Sequence, residues 1–175
     1  MKKTLLAFAS VALLLSSCNN SATTENTEAT ATETPAATET PAATEAPADA
    51  NTAVVTLNGG DDMKYDLTEI KVKAGQTVKL TLHHTGKAPV AAMGHNFVLL
   101  AQGTDLAKFA TAAVAAKDND YIPADLASSV IAHTKTIGGG ETTEVEFPAP
   151  AAGTYDFLCS FPGHSAMMKG KFIVE

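Results

Sequence analysis

Cys159, His164 and Met168 put a thiol, an imidazole and a thioether within ten residues, in the run Tyr155-Asp156-Phe157-Leu158-Cys159-Ser160-Phe161-Pro162-Gly163-His164-Ser165-Ala166-Met167-Met168. A strand end followed by the Pro162-Gly163 turn can bring all three onto one point from a single loop. A second imidazole has to come from elsewhere, and Met93-Gly94-His95-Asn96, at the start of another strand-like segment, offers His95. Two imidazoles, a thiolate and a weak thioether form the donor set of blue-copper electron-transfer sites, because soft sulfur suits Cu(I) while imidazole suits both copper states. Zinc accepts His and Cys but does not call for the thioether. Taken singly, each residue has a plainer reading: Met168 as core filler, Cys159 as an inert small hydrophobe, His95 as a hydrogen-bonded side chain. Their joint occurrence favours a mononuclear copper site.

The elements that must position these residues read as short strands. Val54 to Leu57, Ile70 to Lys73, Thr77 to His84, His95 to Leu100, Val130 to Lys135, Thr142 to Phe147, Thr154 to Cys159 and Lys169 to Val174 are β-type runs, separated by glycine-rich turns. Eight such runs predict an all-β sandwich or barrel. Val78, Leu80, Leu82 and His84 fall on one face and Thr77, Lys79, Thr81 and His83 on the other, which is strand alternation. Residues 104 to 127 break the pattern. There Leu106, Phe109, Ala110 and Ala113 recur at helical spacing, so one short amphipathic helix is expected, with Pro123 marking its end.

Met93-Gly94-His95-Asn96-Phe97-Val98-Leu99, Val130-Ile131-Ala132-His133-Thr134-Lys135 and the stretch from Cys159 to Gly170 closely resemble the azurins, bacterial cupredoxins, and the resemblance covers residues 53 to 175. It implies a Greek-key β-sandwich in which His95, Cys159 and His164 form a trigonal plane around one copper ion. Met168 is then the weak axial ligand and the Gly94 carbonyl a distant fifth interaction. Met167 is a competing thioether, but family spacing and strand alternation favour Met168. The resemblance also implies that backbone N–H groups of Asn96 and Phe161 lie near the Cys159 sulfur and raise the potential. The outer edge of His164 becomes the electron port, with Met93, Ala166 and Phe161 around it as a weakly binding docking patch. The implied partners are transient redox proteins such as c-type cytochromes or copper and haem reductases, and no bond chemistry is implied. Two departures stand out: Val55 and Gly75 occupy the approximate places of the usual azurin disulfide, and Phe97 stands where a buried Trp is usual, in a chain without Trp. His84 and His133 match azurin histidines outside the metal sphere. His84 is either a passive core histidine or a group that titrates with redox state, and His83 is expected in solvent.

The N-terminus says where this domain works. Lys2-Lys3, an apolar run from Leu5 to Leu15 and Ser16-Ser17 before Cys18 read as an export signal over residues 1–17; the apolar run is shorter than the roughly 20 residues a membrane span needs. Leu15-Ser16-Ser17-Cys18 resembles the bacterial lipobox, which makes Cys18 a lipidated anchor. Cys159 is the only other cysteine, so a lipidated Cys18 leaves it without a disulfide partner. Residues 18–52 are almost wholly Ala, Thr, Glu, Pro, Asn and Ser, with a near repeat of Thr-Glu-Thr-Pro-Ala-Ala-Thr-Glu at 32–39 and 38–45. Such a segment cannot bury enough surface to offset its conformational entropy and is expected to be a disordered spacer, with a reach of roughly 30–35 Å.

The formal charge of -7 becomes -9 once Lys2 and Lys3 are removed; -6 of that lies on the spacer, leaving the domain near -3 with no Arg in the chain. That excludes the basic footprint of a nucleic-acid binder. The expected placement is the cell envelope, anchored in a membrane and facing the periplasm or cell surface; Asn19 after Cys18 favours the outer membrane by analogy with sorting in enteric bacteria. Two rival functions remain at this level: a copper-delivery protein, which needs an accessible and exchangeable site, and an adhesive or signalling domain with a vestigial metal, which would not need all four ligands.

Overall fold

The computed structural model describes residues 50–175; the export signal read at 1–17, the lipid-accepting Cys18 and the spacer as far as residue 49 lie outside the described residues. Among the described residues eight strands form: β1 (Thr52–Gly59), β2 (Glu69–Val72), β3 (Thr77–His84), β4 (Val98–Leu100), β5 (Val130–His133), β6 (Thr142–Pro148), β7 (Gly153–Leu158) and β8 (Lys169–Val174). They make a three-stranded sheet in the order β1-β3-β6 and a five-stranded sheet in the order β2-β8-β7-β4-β5. β1 runs parallel to β3, with Thr52 opposite Thr77 and Gly59 opposite His84. Parallel neighbours need a crossover, and here β2 supplies it by pairing in the other sheet, parallel to β8. This is the two-layered all-β sandwich expected from the strand pattern.

The layers adhere through alternation. Along β3, Val78, Leu80, Leu82 and His84 are buried while Lys79 is exposed. Leu57, Val78, Leu80, Leu82 and Phe147 of one sheet share a core cluster with Ile70, Val72, Leu99, Phe157, Phe172 and Val174 of the other, and Phe97 fills that core where the resemblance expected Trp. Among the described residues three exposed ion pairs, Lys71–Glu69, Lys79–Glu146 and Lys171–Asp156, lie on the surface. Solvent screens such pairs, so apolar burial dominates.

All three residues of β4 are buried, because the sheet is covered on both sides there. Leu99 faces the sandwich core. Val98 and Leu100 face the other way, into a second cluster with Phe109, Ile122 and Leu158. Helix α2 (Leu106–Ala113) supplies Phe109, its N-terminus capped by the Asp105 side chain, which accepts from the Lys108 amide at 3.0 Å. Burying Phe109 contributes roughly 1.5–3 kcal/mol.

Two expectations need correction. The helix stops at Ala113, well before Pro123, and the chain continues through 3₁₀ turns at Lys117–Asn119 and Ala124–Ser129. A further single-turn helix, α1 (Val90–Met93), precedes Gly94. The strand read as His95 to Leu100 is confined to β4, and His95 makes only an isolated bridge to Ile137. The reason lies in the backbone that follows: the Asn96 carbonyl accepts from the Tyr65 hydroxyl and the Phe97 N–H donates to Thr134 Oγ1 at 2.9 Å, so these groups are taken by side chains. β1, β3 and β7 end together at one pole of the sandwich, at Gly59, His84 and Leu158, and the candidate site residues lie there.

Candidate metal centre

His95 enters the site on a backbone clamp: its N–H donates to the Ile137 carbonyl at 2.9 Å, and the Ile137 N–H donates back to the His95 carbonyl at 2.9 Å. Its ring stacks on His84, with centroids 4.1 Å apart and planes 12° from parallel. His84 is itself fixed: Nδ1 accepts from the Gly86 amide at 3.1 Å, so the proton sits on Nε2, 2.8 Å from the Met93 carbonyl. Both nitrogens of His95 face carbonyls, Nε2 that of Gly60 and Nδ1 that of Gly94, each at 2.9 Å. Burial lowers the affinity of His95 for a second proton, so the neutral ring can satisfy only one of them. With the proton on Nε2 toward Gly60, the Nδ1 lone pair and the Gly94 oxygen point into the same space with no hydrogen between them. A cation in that space would reconcile them.

The other donors come from the loop after β7. Gly163, in the left-handed region at φ 84°, opens the 3₁₀ turn His164–Ala166. The loop closes on itself through the Cys159 N–H to the Met168 carbonyl at 2.9 Å and the Met168 N–H to the His164 carbonyl at 2.8 Å. Cys159 and Met168 are thereby turned fully inward, while Met167 is 51% exposed, which separates the two candidate thioethers. The Cys159 sulfur lies 3.7 Å from His164 Nδ1 and 3.8 Å from the Gly94 carbonyl oxygen. A separation of about 3.7 Å lets a nitrogen and a sulfur share one cation at roughly 2.0 and 2.3 Å. Ligand atoms of His95, Cys159 and His164 all fall within 4.8 Å of one another, and all three residues are buried.

Burial decides the protonation states. It pushes the Cys159 thiol up to about 11, against backbone N–H groups of Asn96 and Phe161 and the Tyr65 hydroxyl, all of which favour the thiolate. It holds the His164 imidazole down at about 4, assisted by the neighbouring His95 and His84. At neutral pH the pocket therefore offers two neutral imidazoles and a thiol whose proton a soft cation must displace. The residues present fit a copper ion: three convergent nitrogen and sulfur donors, the Gly94 carbonyl and a buried thioether whose methyl, like the His95 ring, lies close against Gly59.

The remaining expected residues fall around this cluster. Asn96 and Phe161 lie beside the sulfur, Met93 is half-buried and Ala166 exposed at the rim, and His164 itself is only 3% exposed. His133 is exposed and hydrogen-bonds locally, away from the cluster. Tyr65 had no place in the sequence reading. It is buried, and its hydroxyl donates to the Asn96 carbonyl. Its one sequence signal was an aromatic residue within the polar loop Asp61 to Asp66.

Residues 51–175 match the family model described as copper binding proteins, plastocyanin/azurin family. The chain is 43% identical over 125 residues to outer membrane protein H.8 of Neisseria gonorrhoeae, covering 70% of this chain and 67% of that protein. It is 42% identical over 127 residues to azurin of Pseudomonas chlororaphis, covering 69% of this chain and 97% of that protein. Among solved structures, auracyanin A, a "blue" copper protein of Chloroflexus aurantiacus, superposes with a TM-score of 0.64 at 37% identity, over 71% of this chain and 99% of that one.

Proposed function

The chain belongs to the plastocyanin/azurin family of copper-binding proteins, and from that premise we propose that it is a type 1 copper electron carrier, not an enzyme, held at the bacterial cell envelope by a lipid on Cys18. The observation that carries the reading is the buried convergence of His95, Cys159 and His164 within 4.8 Å. These three residues, with Met168 and the Gly94 carbonyl beside them, would hold the ion. Copper bound there supplies a one-electron couple between Cu(II) and Cu(I).

The protein's own contribution is rigidity. The 159–168 loop is zipped by backbone hydrogen bonds, His95 is clamped by Ile137, and its Nε2–H is held by Gly60. Donors fixed this way keep similar positions in both oxidation states, so little rearrangement accompanies electron transfer. N–H groups aimed at the Cys159 sulfur draw off electron density and favour the reduced state. A buried site argues against copper delivery, which needs an accessible ion. The outer edge of His164, rimmed by Met93, Ala166 and Phe161, is the port at which partners such as c-type cytochromes or copper and haem reductases would dock transiently.

The test is to load the full chain, in detergent, with Cu(II) and record its visible spectrum and voltammogram. An intense blue thiolate-to-copper band and a reversible couple are expected; absence of either sinks the electron-carrier reading.

Residues 1–17 would be removed on export, 18–52 would form the spacer and 53–175 the copper domain. The lipobox-like sequence before Cys18 supports anchoring, and a relative named as an outer membrane protein supports that membrane. In a bacterial host, Cys18→Ser is expected to move the protein from the membrane pellet to the soluble envelope fraction. Unchanged sedimentation would remove the lipid from the proposal.

A further inference from the structure

We infer that Asp120 is a positioning residue for the metal centre: a backbone carbonyl and a carboxylate on one left-handed residue fasten both Asn96 and Thr136, the segments flanking His95. Asp120 lies outside every ligand loop, in the turn after Lys117–Asn119, and has φ 50° and ψ 31°. Tyr121 follows at φ 59°. Left-handed backbone is tolerable for Asp but unfavourable for a bulky aromatic residue, and two such residues in succession persist only where surrounding contacts over-determine them.

Those contacts lead to the metal centre. The Asp120 carbonyl accepts from Asn96 Nδ2 at 2.8 Å. The same Asn96 side chain donates to Ser160 Oγ at 2.8 Å and accepts from the Ser160 N–H at 2.9 Å, fastening the residue next to Cys159. The Asp120 carboxylate accepts from the Thr136 N–H at 2.8 Å. Thr136 precedes Ile137, the residue that clamps His95 from both sides. Tyr121 packs edge-on against Phe161 with centroids 5.0 Å apart, and Phe161 lies 4.7 Å from the His164 ring. One strained turn thus reaches the segments of His95, Cys159 and His164 without touching a donor atom. Its own closure, the Tyr121 N–H to the Ala116 carbonyl at 2.9 Å, ties it to the residue that opens the Lys117–Asn119 turn.

The inference rests on the copper reading above, and its test separates the two. Asp120→Asn keeps an acceptor and tolerates the left-handed backbone; Asp120→Gly frees the backbone but loses the acceptor; Asp120→Ala loses both. Phe147→Leu, opposite Val78 at the end of β3 remote from His84, serves as a control for general destabilisation. In the copper-loaded full chain, the Gly and Ala variants are expected to shift the blue band and the midpoint potential and to lose copper to a chelator roughly tenfold faster. The Asn variant should resemble wild type, and Phe147→Leu should lower the melting temperature without moving band or potential. In the metal-free chain, exchange of the Thr136 amide hydrogen should accelerate in the Gly and Ala variants only. Unchanged band, potential, copper retention and Thr136 exchange in the Gly variant would overturn the assignment, even with a lowered melting temperature. Should the Ala variant fail to fold, the Gly variant decides. Should wild type prove not to be blue, the copper reading falls, and Thr136 exchange still decides the role of Asp120.

Discussion

Cys159→Ser is expected to abolish the blue band and the reversible couple completely while leaving the metal-free domain folded. The sulfur sits at zero exposure among apolar neighbours, with the Gly94 carbonyl 3.8 Å away and the His164 imidazole 3.7 Å away. A serine hydroxyl is smaller, and its oxygen sits nearer Cβ than the sulfur and so beyond hydrogen-bond reach of that carbonyl; burying it there costs folding about 1–3 kcal/mol. For the metal the change is of another order. The oxygen of serine is a hard donor that stays protonated at neutral pH, and the covalent sulfur–copper contact that gives the blue colour has no equivalent. Visible absorption, voltammetry and thermal unfolding of the metal-free variant, made side by side, separate loss of the ligand from loss of the fold. A serine variant that remained blue would contradict the assignment of Cys159. A variant that failed to fold would show that the thiol packs the core more than it serves a metal.

Such a prediction was within reach of the sequence because the chemistry is local. Three donors lie within ten residues, and a single Pro-Gly turn can converge them. Strand alternation was equally legible along β3, where every second side chain is buried and one of them is His84. What escaped were features set by contacts distant in sequence. Nothing in Leu106 to Pro123 announces that the helix ends at Ala113; the Ala- and Thr-rich run would continue if the chain did not have to turn back through Asp120 and Tyr121 to meet Asn96 and Phe161. The strand expected from His95 was shortened for the same reason. Asn96 gives its side chain to Ser160 and Asp120 and its carbonyl to Tyr65, leaving His95 held by a single bridge. Propensity foresaw the strands, but the buttress behind the donors is tertiary and has no period to read.

The same buttress makes Gly94 a sensitive position beside the candidate ligand side chains. Its φ of -69° and ψ of 142° suit any residue, so the glycine is present for space and not for backbone freedom. A methyl group there would lie 2.7 Å and 2.8 Å from two carbons of the Phe161 ring and 2.8 Å from the Thr136 methyl. Neither neighbour can yield cheaply. Phe161 is wedged between Tyr121 and His164, and the Thr136 N–H is held by Asp120. Gly94→Ala must therefore push the ring into His164 or lift the Gly94 carbonyl away from the pocket. Overpacking of this kind costs roughly 1–3 kcal/mol, or about 4–11 °C in melting temperature for a domain of this size. A displaced blue band and a shifted potential should accompany it. Gly103→Ala isolates the backbone contribution: Gly103 is left-handed at φ 79° with nothing within 4 Å of the added methyl. It should lose about 1 kcal/mol of stability and leave the copper spectrum unchanged. If Gly94→Ala were no worse than Gly103→Ala and kept the wild-type band, the close packing of Phe161 and Thr136 against Gly94 would not be what sets the pocket.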